Sequence, residues 1–219
     1  MAEAAATGAG GTAAVVLAAG SSTRMGENKL LLALDGEPLI ARAVRAAGAA
    51  GLSPVVVVLG HEAERVRAAL DGIACRTVVN PDHARGKGTS IQLGIAEVAR
   101  ATAAGAAVVV LADMPFVTTA MLAAVARAAV NGDGARAPMV ISRYGGEVTA
   151  PPILYDRALF DELCGLPGQA CGKEMQHRHR HEAVFVDWPA AALADVDVPE
   201  DYARLRQGQG NVRTGGGGG

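Results

Sequence analysis

Four short Val-rich runs most constrain what this chain can fold into: AAVVLA at 13–18, PVVVVLG at 54–60, RTVVN at 76–80 and AAVVVLA at 106–112. They are largely continuous in apolar residues, so the strands they form must be covered on both faces. Between them lie PLIARAVRAAGAA, EAERVRAAL and SIQLGIAEVARATAA, with apolar residues at helical spacing. Strand and helix in alternation predict an α/β fold, a Rossmann-like, mostly parallel (mixed) sheet with helices on both faces. Further strands are expected at PMVISRY, GEVTAPPIL and AVFVDW, and a last helix at PEDYARLR, with Pro199 in its first turn. The Pro151-Pro152 pair requires an edge or a bulge, because proline donates nothing to a ladder.

The chain has 219 residues, half of them hydrophobic and only 3% aromatic, so Ala, Val and Leu must supply the core. Residues 1–12 and 207–219 read as flexible tails around a single domain at 13–206. The stretch Gly8-Ala-Gly10-Gly-Thr-Ala13 has the spacing of a dinucleotide fingerprint, but it precedes the first strand instead of following one. A formal net charge of -2 argues against a nucleic-acid partner, which needs clustered positive charge. No apolar stretch reaches the ~18 residues that span a bilayer. Nor does a charged segment precede the first apolar run, so the expected location is the cytoplasm. Cys75, Cys164 and Cys171 are too few and too irregularly spaced for a disulfide framework and are expected as free thiols.

In sheets of this kind ligands bind beyond the carboxyl ends of the strands. The first and fourth runs end at Ala19-Gly20-Ser21 and Ala112-Asp113-Met114, the two most polar exits. After the first comes VLAAGSSTRMGENK, Val16 to Lys29. Its small residues let backbone amides approach a ligand, and Arg24 and Lys29 add two cations, an anion site suited to a triphosphate. The Gly-Lys-Ser/Thr ending of a Walker loop is missing. Taken alone, the segment also fits a plain strand-to-helix turn.

Asp113 ends a buried hydrophobic strand, an expensive place for a carboxylate unless it is paired or bound to a metal. Beside a triphosphate the natural metal is magnesium, a hard cation that takes oxygen ligands. Asp113 lies too far upstream to cap the helix expected near Thr118. In DVDVPED, Asp195 and Asp197 fall on one face of an extended segment, and Asp201 fits a helix first-turn acid. Thr89 and Ser90 of GKGTS fit either a ligand loop or a helix N-cap, and Asn80 before Pro81 fits either a ligand position or a turn. In QHRHRHE, His177, His179 and His181 alternate as on a strand face, but a fourth metal ligand is not evident. A solvated stretch or a basic rim facing a phosphorylated substrate fits better.

The loop from Leu17 to Lys29 resembles the signature of the MobA-like nucleotidyltransferases, LA(A/G)GxSxRMGxxK, with every fixed position present. These enzymes attach a nucleotide to molybdopterin, and sugar-nucleotide enzymes are their relatives. The likeness continues in order through LLLALDGEPLIARAV, VVVVLGH, VVNPD, GKGTSIQLGI, LADMPFVT and DVDVPEDY, across roughly residues 13 to 206. It implies a fold of the nucleotide-diphospho-sugar transferase type, with a nucleotide lying across the first loop. Carried over by position, Ala18, Ala19 and Gly20 would line base and ribose, and Leu17, Ser21 and Ser22 would complete that loop. Arg24 and Lys29 would hold the phosphates, Lys29 countering charge on the α-phosphate in the transition state. Asn80, Gly86, Thr89 and Ser90 would form a second nucleotide-contacting region, and Asp113 and Asp197 would bind Mg2+. Catalysis would fall to Lys29, Arg24 and Asp113.

LAAG rather than LAGG, together with GKGTS, resembles the cytidylyltransferase branch. The implied donor is CTP and the implied acceptor molybdopterin carrying molybdenum, with a molybdenum hydroxylase as onward recipient. The alternatives are a GTP- or UTP-using transferase acting on a phosphosugar, and a non-catalytic cofactor-binding accessory protein. One departure bears on the acceptor. Where many relatives have Gly-Asp followed by Gly, this chain reads Leu166-Pro-Gly-Gln-Ala-Cys-Gly-Lys173, with Gln169 and Ala170 in place of the acidic step.

Overall fold

The computed structural model describes residues 11–21, 27–130, 136–168, 171–193 and 202. Ser22, Arg24, Gln169, Ala170, Asp195, Asp197, Asp201, the C-terminal tail and nearly all of the N-terminal tail lie outside the described residues, as does most of the last helix. The first half of the chain holds β1 (Thr12–Ala18), two-residue strands β2 (Ala33–Leu34) and β3 (Glu37–Pro38), α1 (Leu39–Ala49), β4 (Val55–Leu59), α2 (Ala63–Ala68) and β5 (Arg76–Val79). There follow α3 (Lys87–Ala101), β6 (Ala106–Leu111), α4 (Thr119–Ala128), β7 (Met139–Tyr144) and β8 (Val148–Asp156). Helices α5 (Phe160–Gly165) and α6 (Cys171–Arg178) precede strand β9 (Val184–Trp188).

Seven strands form one sheet in the order β5-β4-β1-β6-β8-β7-β9. The four Val-rich runs are β1, β4, β5 and β6, all parallel. β8 runs against both its neighbours, β6 and β7, and β7 pairs parallel with β9. The sheet is therefore mixed, with a single reversed strand among the seven.

Strands β1, β4 and β6 each feed two cores because alternate residues point to opposite faces. Strand β5, at the sheet edge, is mostly exposed and lacks the double cover expected of its valines. Ala14, Val16, Val57, Leu59, Val108 and Val110 pack on one side with Val44 of α1 and Leu122 and Val125 of α4. Ala13, Val15, Val56, Val58, Ala107 and Val109 pack on the other with Ile95 and Val98 of α3, Leu163 of α5 and Met175 of α6. Burying one such valine contributes about 1.5–3 kcal/mol. Helix α3 lies close against the sheet: a Cβ on Gly94 would come within 2.3 Å of Val15 Cγ1 and 3.0 Å of Val58 Cγ2.

Pro151 and Pro152 sit in β8, which is not an edge strand, so a bulge is what accommodates them. Pairing with β6 stops at Ile153. The β7 register jumps between Ile141 and Arg143 opposite the prolines, leaving their missing donors outside both ladders. The hairpin of β2 and β3 turns at Asp35 (φ 55°) and Gly36 (φ 80°), an Asp-Gly pair suited to two successive left-handed residues. Among the described residues no helix is long and apolar enough to cross a membrane.

Candidate functional site

In this strand order β1 has β4 on one side and β6 on the other, and the crevice forms where the order reverses. A cavity of about 330 Å³ opens there, lined by Leu17, Ala19, Gly20 and Ser21 at the end of β1 and by Leu111 and Asp113 at the end of β6. Lys29, Leu30, His83, Ala84, Lys87 and Ser90 complete the wall. Its central feature is an ion pair: Lys29 Nζ lies 2.7 Å from Asp113 Oδ2, with side chains 12% and 20% exposed. The cation of the first loop and the carboxylate of the fourth run thus meet at one point.

Local structure sets both ends of that pair. Lys29 opens a 3-10 turn, Lys29–Leu31, whose N-cap Asn28 accepts a hydrogen bond from the Leu30 amide at 3.1 Å. Asp113 follows β6 by two residues, clear of the cap of α4. That cap is Thr118, whose hydroxyl accepts from the Met121 amide at 3.2 Å. Gly60, just beyond β4, lets the chain pass the site closely. A Cβ there would stand 2.8 Å from the Ala19 Cβ, the Ala19 carbonyl oxygen and the His83 Cβ.

The other expected site residues divide by position. Ala18 is buried at 1% exposure in the core shared with α1 and α4, and its backbone continues into the site. Asn80 is 3% exposed and stands behind the cavity; its amide donates to Thr89 Oγ1 and Ser90 Oγ, each at 2.9 Å. Asn80 Oδ1 also accepts from the Asp82 amide at 2.9 Å, so this residue makes the turn and braces the first turn of α3 as well. Gly86 is the N-cap position of α3, with φ 117°, and Thr89 and Ser90 fall within the first turn instead of capping it. Ser90 reaches the cavity at the ends of β1 and β6, whereas Asn80 and Thr89 line a separate hollow with Arg85 and Gly168. Ser22, Arg24 and Asp197 lie outside the described residues. Sequence reasoning gave no role to His83 or Lys87, both in the wall; Lys87 was visible as the cation inside GKGTS.

A second cavity of about 820 Å³ adjoins the first, sharing Leu17, Lys87 and Leu111 with it. Its apolar lining includes Ile91, Val109, Met114 and Ile153, and Thr149 to Pro151 at the start of β8 reach the same rim. Lys173, Gln176, His177 and Arg180 also line it. QHRHRHE is the last part of α6 and the turn after it, so its three histidines do not share the strand face that a metal site at their spacing would need. Counted with Lys173 and Gln176, positions 173, 176, 177 and 180 have helical spacing. Among the described residues no cluster of three or more His, Cys, Asp or Glu side chains could hold a metal by itself. Asp113 offers one carboxylate facing the cavity, which suits magnesium sharing its coordination with substrate phosphates.

The crevice of this mixed α/β sheet, at the ends of its parallel strands where a loop lysine meets a strand-end aspartate, is the place where open sheets of this class bind their ligands. The model of the MobA-like NTP transferase domain matches residues 14–184, and the chain belongs to that family. The chain is 36% identical over 190 residues, 84% of its length, to the bifunctional protein GlmU of Kineococcus radiotolerans, but spans only 37% of that protein. It is 29% identical over 206 residues to the purine catabolism protein PucB of Bacillus subtilis, covering 88% of this chain and 95% of PucB. Among solved structures, Rv0371c from Mycobacterium tuberculosis superimposes with a TM-score of 0.78 at 29% identity, covering 92% of this chain and 100% of the other. A structure of the same mycobacterial protein is a complex with manganese, at a TM-score of 0.73 and 27% identity, covering 90% and 98%. These relations place the fold with the nucleotide-diphospho-sugar transferases and the chain with the nucleotidyltransferases.

Proposed function

We propose that this protein transfers CMP from CTP to the phosphate of molybdopterin carrying molybdenum, releasing pyrophosphate, with Mg2+ as the metal. The observation that carries the reading is the Lys29–Asp113 pair at the switch point, with the second cavity opening beside it. Lys29 is placed to hold phosphate oxygens and to offset the negative charge that grows on the α-phosphate. Asp113, with Asp197 as the second expected ligand, would hold the ion together with the donor's phosphates. Bound there, magnesium would supply charge neutralisation and alignment of the reacting groups. The acceptor's phosphate oxygen attacks the α-phosphorus, the bond from that phosphorus to the bridging oxygen breaks, and pyrophosphate leaves. A protein nucleophile is not required. Arg24 would act on the phosphates beside Lys29. The choice of CTP rests on Ala19 in the first loop together with GKGTS in the second.

Pyrophosphate release measured with each of the four nucleotides, with and without molybdenum-loaded molybdopterin, tests the reading. Release that needs both CTP and the pterin is expected. Release with GTP or UTP and a phosphosugar would transfer the protein to another branch of the family. Pterin binding without any release would make it a cofactor-binding accessory protein.

A further inference from the structure

The basic residues around α6 fall into two groups. Those turned away from the second cavity are matched by acids: Arg178 pairs with Glu162 at 3.1 Å and with Glu174 at 2.7 Å, and His179 with Glu162 at 2.8 Å. Hydrogen bonds from His179 and Arg178 hold the Glu162 carboxyl below its ordinary pKa. Those that line the cavity are Lys173, His177 and Arg180, joined from α3 by Lys87. Among the described residues no acidic side chain lines this cavity, and none of these four is paired with a carboxylate.

These basic residues have an order in space. Lys87 lines both cavities and marks the end next to the nucleotide. The start of α6 abuts the first turn of α3: Cys171 Sγ donates to the Gly88 carbonyl at 3.5 Å, and a Cβ on Gly172 would lie 3.3 Å from Ile91 Cδ1. Lys173 therefore follows Lys87, the helical rise carries the row roughly 6 Å further to His177, and Arg180 lies in the turn just past the end of α6. The Arg180 guanidinium is held over the Phe185 ring of β9, 5.1 Å from its centroid. One phosphate beside Lys87 would use the near end of this row only.

We propose that the acceptor carries, besides the phosphate that reacts, a second anionic group at the far end of an apolar body, bound by His177 and Arg180. The assignment of the reacting end rests on the nucleotidyl-transfer reading, whereas the two-anion recognition stands on the cavity itself. A rigid probe pair tests it: biphenyl-4-yl phosphate and the same compound bearing a 4′-carboxylate, titrated calorimetrically into the full chain. The carboxylated probe should bind at least tenfold tighter. Arg180→Gln or His177→Gln should remove most of that gain and leave the parent phosphate's affinity unchanged, which also reports that the variants are folded. Lys87→Gln should weaken both probes. Equal affinity for the two probes, a gain that survives Arg180→Gln combined with His177→Gln, or failure of either probe to bind would overturn the proposal. Absence of pyrophosphate release with every acceptor would sink the reaction while leaving the probe result to stand or fall separately.

Discussion

The two adjoining cavities share residues of β1 and β6 but differ in the rest of their walls. The smaller collects the carboxyl ends of the parallel strands β1 and β6, where loops leave the sheet and bring Lys29 and Asp113 into contact. The larger lies beside the reversed strand β8, whose first residues reach the same rim, and its polar groups sit mainly on a helix. The smaller therefore offers opposite charges at a point, as a metal-and-phosphate reaction requires. The other offers an apolar floor edged by basic and neutral polar side chains with no acid among the described residues, suited to selecting an anionic molecule. On the proposed reading, chemistry and selection fall to separate elements, and substitutions should separate them.

The largest effect is expected at the ion pair. Lys29→Ala and Asp113→Asn should each lower turnover about 100- to 1,000-fold in a pyrophosphate-release assay, as loss of a transition-state charge partner does. Near-normal activity in either variant would dissolve the contrast between the cavities. Gly88→Ala acts where the two regions touch: its Cβ would fall 1.3 Å from the Gly168 carbonyl oxygen, within bonding distance. Thermal unfolding should show a loss of about 1–3 kcal/mol, and the Michaelis constants for donor and acceptor should both rise.

Gln92→Ala sharpens the comparison, because the Gln92 side chain donates to the carbonyls of Leu163, Cys164 and Leu166 at 3.0, 3.2 and 2.7 Å. Removing it should cost about 1 kcal/mol in denaturant titration and raise the acceptor's Michaelis constant while sparing the nucleotide's. The smallest effect belongs to Glu162, whose carboxyl has a lowered pKa in the folded protein. A depressed acid stabilises the fold above its unfolded pKa, and that contribution is lost as pH falls through the folded value. The wild type should exceed Glu162→Gln by less than about 1 kcal/mol at pH 7. Melting curves should converge as pH drops below the ordinary carboxylate value of 4.5.

The parallel half was legible because a doubly covered strand leaves an uninterrupted apolar run, as in β1, β4 and β6; all four runs became neighbouring strands, with β5 the exposed edge. Asp113 stood out because a carboxylate at the end of such a run needs a partner. That Lys29 would be the side chain touching it followed from no local pattern, only from the rule that ligands gather at strand ends. The antiparallel half was less legible. PMVISRY and GEVTAPPIL read correctly as strands, but nothing in their composition tells which one is reversed, since direction is set by connections and packing. The helix in QHRHRHE was hidden because its helical spacing shows only once Lys173 and Gln176 are counted. Lys87 was overlooked because GKGTS drew attention to its hydroxyls, and a lysine becomes informative only when two cavities are seen to meet at it.

The Gly88–Gly168 contact has a consequence for engineering. With Gly168 resting on the backbone of Gly88, the chain at 166–168 and the opening turn of α3 are shaped to each other and should be exchanged together. Grafting α5 and α6 from a relative in order to change the acceptor would need the first turn of α3 from the same donor. Exchange of either piece alone would bring together two surfaces shaped for other partners.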